Sequence, residues 1–242
     1  MKVAVWFSCG AASAVAAMLA IQKFGRENVM VLNNFILEEH PDNRRFLHDV
    51  ENWLRVKIVD VRNSHYPDGS CESVWRSRWY MSGIAGASCT FQLKKRARQQ
   101  WEDTHHHDAL VMGFCAEEKN RHDRFVKQER DNLLPLLIEE GIDKSGCASL
   151  LQSKGIRLPE MYLLGFPNAN CIGCVKATSP TYWNHTRRHF PDVFAQRART
   201  SRDLGCRLVR HKGERIFLDE LPDDATGRPL KSLDLSCSVF CS

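Results

Sequence analysis

Lys2-Val3-Ala4-Val5-Trp6-Phe7-Ser8-Cys9-Gly10-Ala11-Ala12-Ser13 is the stretch on which the reading of this chain turns. A short apolar run over Lys2 to Phe7 stops abruptly at small residues. Ala11 to Phe24 then continues Ala-rich, with Leu and Ile interleaved, and Gly25 follows. A short run apolar on both faces reads as a buried strand. A small-residue helix closed by glycine fits the second segment. Outward from this unit, Asn28 to Leu32 and Lys57 to Val61 read as strands. Pro41 to Leu54 reads as an amphipathic helix, with Phe46, Leu47, Val50, Trp53 and Leu54 on one side. Gln92 to Thr104 reads as a helix, Ala109 to Phe114 as a strand and Glu117 to Asn132 as a charged helix. This alternation predicts an α/β fold with a doubly wound, mainly parallel sheet. Such sheets bind ligands beyond the carboxyl ends of their strands, so chemistry is expected in the loops after Phe7, Leu32, Val61 and Phe114.

Of the 242 residues, 43% are hydrophobic and 26% charged, which fits a globular chain and excludes a disordered one. No apolar run approaches the roughly 18 residues of a membrane span, and the first residues lack the pattern of a signal peptide. The expectation is a cytoplasmic protein with no membrane partner. Beyond about residue 140 the pattern changes to helices over 179–189 and 192–204. A hairpin follows, formed by 206–210 and 215–218 around Lys212-Gly213. The expected organisation is a nucleotide-binding core over 1–140, with a helical, cysteine-bearing extension over 141–242 packed on the same core.

The net charge of +5 is too small to imply a polyanionic partner, but its distribution is uneven. Lys176 to Arg215 holds ten Lys and Arg against three Asp and Glu. A nucleic-acid backbone would suit that stretch, and so would a solvated helical face.

Ten cysteines without a secretion signal point to metal binding or thiol chemistry rather than disulfides. Cys9, Cys71, Cys115, Cys147 and Cys206 are scattered singly and read as buried small residues. Cys89, the Cys171-x-x-Cys174 pair and the terminal Cys237 and Cys241 remain. Asn168, Asn170 and Gly173 around the pair favour a tight turn, which aims two thiolates at one centre and supplies half a site.

Between strand and helix, Ser8 to Ser13 offers close backbone approach, helix N-terminal amides and two hydroxyls, which suit a phosphate. Simple strand–helix packing uses similar turns. The Gly-Lys-Ser/Thr ending of a Walker loop is absent. The pattern resembles the SGGxDS PP-loop of the adenine nucleotide α-hydrolase superfamily. Ser8, Gly10 and Ser13 match it, Cys9 stands for a glycine, and Ala12 for the aspartate. Within that superfamily the chain is most similar to the phosphoadenosine phosphosulfate (PAPS) reductase family. The resemblance runs through Cys89-Thr90-Phe91-Gln92-Leu93-Lys94, the 113–125 segment, Cys171-Ile172-Gly173-Cys174 and the terminal cysteines.

That resemblance implies a reductase or sulfur-transfer enzyme with an adenine nucleotide, PAPS, its monophosphate analogue or ATP, on Ser8, Cys9, Gly10, Ala11, Ala12 and Ser13. Asn33, Lys94, Arg121 and Arg124 are further candidate contacts. It implies a metal centre, a [4Fe–4S] cluster or zinc as the alternative, on Cys89, Cys171, Cys174 and Cys241. Cys237 takes the place of the family's nucleophilic thiolate, which implies a thiol reductant such as thioredoxin, or a sulfur donor, as partner. An ATP pyrophosphatase of nucleic-acid thiolation and a non-catalytic binding module with structural metal are the alternatives. Asn33, Asn34, Glu38, Glu39 and His40 crowd the loop after the second strand, where a ribose or adenine would sit. Trp75, Trp79 and Tyr80, among Arg76 and Arg78, are candidates for base stacking and equally for core. His105-His106-His107 reads as solvent-exposed.

Overall fold

Val3–Phe7 forms β1, the central strand of a five-stranded sheet, and every one of its residues is buried. A strand covered on both faces needs no polar alternation, which is why it reads as one apolar run. The computed structural model describes residues 1–231. After β1 come α1 (Ala11–Phe24), β2 (Val29–Asn34), α2 (Asp42–Leu54), β3 (Ile58–Val61) and α3 (Cys71–Arg78). A small hairpin, β4 (Ser82–Gly83) and β5 (Gly86–Ala87), precedes a π-helical turn over Thr90–Arg96 that continues into α4 (Ala97–Glu102). Then follow β6 (Ala109–Met112), α5 (Lys119–Gln128), β7 (Leu133–Leu134), α6 (Leu136–Glu139), α7 (Lys144–Ser153) and α8 (Glu160–Leu163). Two longer helices, α9 (Pro180–His189) and α10 (Pro191–Asp203), lead to the hairpin of β8 (Val209–His211) and β9 (Glu214–Ile216).

The sheet order is β3-β2-β1-β6-β7, with all pairs parallel. Val5 pairs with Val31 on one side and Val111 on the other. Alternate side chains serve two cores. Val3, Val5 and Phe7 pack with the alanines of α1, with Phe46 and Val50 of α2, and with Cys147 and Leu151 of α7. Ala4 and Trp6 face Ala97, Trp101 and Phe125 on the opposite side. A third core joins Ile36, Val74, Trp75, Met81 and Leu93 to Phe166, Trp183, Phe194 and Leu208. Segments on both sides of residue 140 therefore build the first and third of these cores, since α7 belongs to the first and residues 71–93 to the third, while the second lies wholly before residue 140. No helix of the described residues is long and apolar enough to cross a membrane.

Two expected helices differ in outline. The segment expected to be helical over 92–104 begins earlier as a π-helical turn, and its regular α-helical part ends at Glu102. The charged helix expected over 117–132 stops at Gln128, where Arg130 turns back to pair with Glu102 at 2.7 Å. Asn132 then gives its carbonyl to the Leu110 amide and leads into β7, a fifth strand too short to show a period. The 206–218 hairpin forms at its expected turn, with Lys212 and Gly213 both at positive φ.

The order of strands reverses between β1 and β6, the place where open α/β sheets form a ligand crevice. Gly113 ends β6 there, against the backbone of α1. A Cβ on it would stand 2.7 Å from the Ser13 nitrogen and 2.9 Å from the Ala12 carbonyl carbon. Backbone cannot move aside as a flexible side chain does. Gly113→Ala is expected to cost about 1–3 kcal/mol, read as a lowered urea midpoint with unchanged slope.

Candidate functional site

In the loop after β1, Cys9 adopts a left-handed backbone with φ 53°. Glycine takes that conformation freely, and a residue with a Cβ pays roughly 1 kcal/mol. The position therefore fits the glycine that the PP-loop pattern has there. The Cys9 side chain is fully buried, and burial, reinforced by Glu39, pushes its thiol well above the usual range. Ser13 is buried too. Its hydroxyl donates to the Gly10 carbonyl at 2.8 Å and accepts the Ser8 amide at 3.0 Å, clipping the loop closed. The exposed Ser8 hydroxyl lies 3.3 Å from that of Ser13. Ala11 and Ala12 open α1, and the Tyr162 hydroxyl faces the Ala11 amide. A Cβ on Gly10 would crowd that hydroxyl at 3.1 Å.

Asn33 is committed to the scaffold. Its amide donates to the Phe7 carbonyl at 2.9 Å and reaches the Cys9 sulfur at 3.5 Å. Its oxygen accepts from Arg44 at 3.0 Å, and Arg44 also forks onto Asp60. Arg121 and Arg124 lie on the exposed surface of α5. Arg121 pairs with Glu118 at 2.6 Å, Arg124 turns to the Asn120 carbonyl, and neither bonds to residues 8–13.

The cysteines come from three separate segments. Cys89 precedes the π-helical turn, Cys171 and Cys174 lie on the turn made by Gly173 at φ 63°, and Cys71 opens α3. Cys171 and Cys89 neighbour the Cys71 thiol and, with its burial, push it up, and the charges of Cys171 and Cys89 act in the same sense on Cys174. Cys71, read from the sequence as a lone buried residue, is thus the fourth member of the cluster. The neighbouring Cys71, opposed by burial and supported by Trp75 and Lys94, holds the Cys89 thiol down at about 7. Burial pushes the Cys174 thiol up to about 11. Among the described residues, no three His, Cys, Asp or Glu side chains are arranged as donors to a single metal ion. Cys237 and Cys241 lie outside the described residues.

Glu38 and Glu39 assemble this cluster. The Glu38 carboxylate accepts the amides of Cys71 at 2.8 Å and Glu72 at 3.1 Å and the Ser70 hydroxyl at 3.0 Å, capping α3. Its carbonyl accepts the Ile172 amide at 2.9 Å, and Glu39 pairs with Cys171 as an antiparallel bridge. The Glu39 carboxylate faces Lys94 at 3.6 Å and accepts from Asn43 at 2.9 Å. Burial pushes the Glu39 carboxyl up despite these partners. Burial opposes the Lys94 charge, yet Glu39 and the thiols of Cys171, Cys174 and Cys71 outweigh it and hold the ammonium above its usual range.

A second cation lies buried nearby. Arg197 is 2% exposed, and its Nε and Nη1 have no hydrogen-bond partner among the described residues. Its guanidinium lies 4.7 Å from the Trp75 ring centre, and its stem is the nearest neighbour that a Cβ on Gly173 would meet. Elsewhere the basic stretch is partly neutralised. Arg187 pairs with Asp223, and Arg202 with Asp219 at 2.9 Å and Glu220 at 2.8 Å.

Comparison of the chain with family models and with curated proteins finds no match.

Removing the Glu38 carboxylate leaves the Cys71 and Glu72 amides of α3 without their acceptor, while the Ser70 hydroxyl still caps the Ser73 amide. Glu38→Ala is expected to cost about 1–3 kcal/mol by urea denaturation. In metal-free protein it should also speed alkylation of Cys71, which is 2% exposed in the native fold. An unchanged Cys71 rate, read by peptide mass mapping, would show that the Glu38 carboxylate does not hold this thiol in place.

Proposed function

We propose that this chain is a nucleotide-binding enzyme of sulfur chemistry, PAPS reductase-like, with a [4Fe–4S] cluster on Cys71, Cys89, Cys171 and Cys174. The observation that carries the reading is the meeting of four thiols from three distant segments at the carboxyl side of a parallel sheet. An all-thiol donor set suits iron–sulfur centres and zinc. Zinc would take all four sulfurs at about 2.3 Å from a single point and is the alternative occupant. A cubane takes one thiolate on each iron, so its four sulfurs stand around a volume. Four thiolates in a buried site also need positive charge close by. Lys94 and the otherwise unpartnered Arg197 supply it. When bound, such a cluster supplies a redox-active and electrostatic centre beside the crevice.

The chain's own residues then divide the work. Ser13 and Asn33 hold the loop after β1 in shape, while the exposed Ser8 hydroxyl and the first amides of α1 are left to meet a nucleotide phosphate. Lys94 links the two regions, because its charge acts both on the cysteines and on Cys9 of the loop. With Cys71 as the fourth ligand, Cys241 is not needed at the metal. Cys237 and Cys241 both remain for thiol exchange with substrate and with a reductant such as thioredoxin.

Anaerobic purification followed by iron, sulfide and visible-absorption analysis tests the centre. The expected result is about four iron and four sulfide per chain, lost in Cys71→Ser and retained in Cys241→Ser. The reverse pattern would return the fourth ligand to Cys241. A colourless wild-type chain after anaerobic reconstitution with iron and sulfide would remove the cluster.

Nucleotide binding is tested separately by calorimetry with ATP and PAPS. Ser8→Ala is expected to lower affinity about tenfold, consistent with loss of one hydrogen bond to a charged phosphate at about 1.5–3 kcal/mol. Equal affinities in a folded variant would take Ser8 out of the site.

A further inference from the structure

A cavity of about 260 Å³ lies on the edge-strand side, where the loop after β3 meets the end of α3 and the π-helical turn. Tyr66 and Phe91 line it with aromatic surface, Arg78 and Arg96 with positive charge, and His65 and Gln100 complete the polar lining. No carboxylate lines it. Among the described residues Arg78 forms no ion pair or hydrogen bond, and Arg96 reaches only the Gln99 amide oxygen at 3.2 Å. Two guanidiniums without acidic partners at one cavity fit an anion, and their planar forks suit phosphate.

The exposed aromatics carry the inference further. Phe91 is 51% exposed although it lies on a turn whose neighbours Gln92 and Leu93 are buried. Trp79, next to Arg78, is 73% exposed and sits at φ 49°, a left-handed conformation that is costly for a bulky residue. Outlying backbone of this kind concentrates where ligands bind. Two of the three side-chain amides at the cavity are engaged, and only the Gln92 Nε2 is left without a partner among the described residues. Asn63 donates to the Gln92 carbonyl at 2.8 Å and accepts the His65 amide, and the Gln100 amide is engaged by Ser64 at both ends. One amide group is left to read the edge of a base, whereas the stacking faces and phosphate forks are free.

From this we infer that the cavity and the adjoining Trp79 form a docking site for single-stranded nucleic acid. One base stacks on Phe91, its phosphate meets Arg78 and Arg96, and Trp79 offers a stacking face for a neighbouring base. A second aromatic outside the cavity favours a strand over a free mononucleotide. Stacking with a single free amide makes the site tolerant of sequence. The inference stands independently of the cysteine centre.

Fluorescence anisotropy with a labelled oligothymidylate of about ten nucleotides, a length within the range of single-strand sites, tests it on the full chain. Arg78→Ala with Arg96→Ala is expected to weaken binding at least tenfold and to flatten the dependence of log affinity on log salt by about 1.4 for two lost phosphate contacts. Phe91→Ala should weaken binding about tenfold, and Phe91→Trp should restore it. All of these side chains are exposed or line the cavity, and thermal melts of each variant check the fold. Wild-type affinity in the double-arginine variant would overturn the proposal. So would binding of thymidine monophosphate as tight as that of the oligomer, or an affinity carried entirely by basic residues of 176–215.

Discussion

Two consecutive residues, Glu38 and Glu39, hold the cysteine region of this protein together. They leave the carboxyl end of β2 through a short loop tied to Gly69, whose carbonyl accepts the Leu37 amide at 3.0 Å. From there one carboxylate caps α3 and fixes Cys71, one backbone carbonyl anchors Ile172 between the paired cysteines, and the second carboxylate receives Lys94 five residues after Cys89. Three segments that are remote in sequence are thus fastened to one dipeptide. The hydrogen bonds to the Glu38 carboxylate are charge-assisted and add the favourable field of a helix N-terminus. The cysteine positions are accordingly coupled through the scaffold, so a change at Glu38 is felt at Cys71 and at the Cys171 turn together.

Charge decides how such a site persists. A buried ion loses several kcal/mol of hydration, and only close, well-bonded counter-charge offsets it. Lys94 has Glu39 and three thiols around it, which is enough to keep it charged despite its burial. Arg197 has no carboxylate, only the face of Trp75 and a packed aliphatic stem. A cation–π contact contributes about 0.5–2 kcal/mol, less than the cost of two unsatisfied N–H-bearing nitrogens of one guanidinium. The arrangement of the described residues is therefore short of negative charge, next to thiols that carry it when they ligate metal. This imbalance is the physical argument for a loaded centre, and it does not depend on any likeness to a family.

Much of the scaffold was legible because its signals are local and strong. The apolar run of β1, the small-residue turn and the alanine face of α1 gave boundaries within a residue of those observed. The substitution of Cys9 in a glycine-like position was visible too, although its left-handed backbone was not. Signals that depend on tertiary placement were not legible. β7 has two residues and no period. Cys71 stands 18 residues before Cys89, alone, and nothing in its own neighbourhood marks it as a ligand. A weak clue was Ser70-Cys71-Glu72, a helix start with a thiol at its first position, but only the carboxylate of a distant loop turns that start towards Cys171. That the polar atoms of Asn33, Glu38 and Glu39 are engaged by the scaffold was likewise not legible, because their partners Arg44, Cys71 and Lys94 are remote in sequence. Arg197 was legible as charge but not as buried charge, since its helix carries three arginines and the other two are exposed.

The π-helical turn over Thr90–Arg96 explains how the two candidate sites share one wall. A π turn hydrogen-bonds to the fifth residue and carries an extra residue per turn, so it is poorly packed unless its side chains are anchored. Here successive residues are anchored in different directions. Gln92 gives its carbonyl to Asn63 under the cavity, Leu93 enters the third core, and Lys94 reaches Glu39 beside the cysteines. Phe91 is left exposed on the cavity wall. An α-helical turn would advance these side chains by about 100° each and place Lys94 over Thr90 and Phe91, about 140° around the axis from Cys89, away from the thiols and Glu39. The wide turn is thus the geometry that allows a buried cation to serve the thiols while its neighbours serve the surface. Its persistence follows from the fixed points at Asn63 and Glu39 on either side of it.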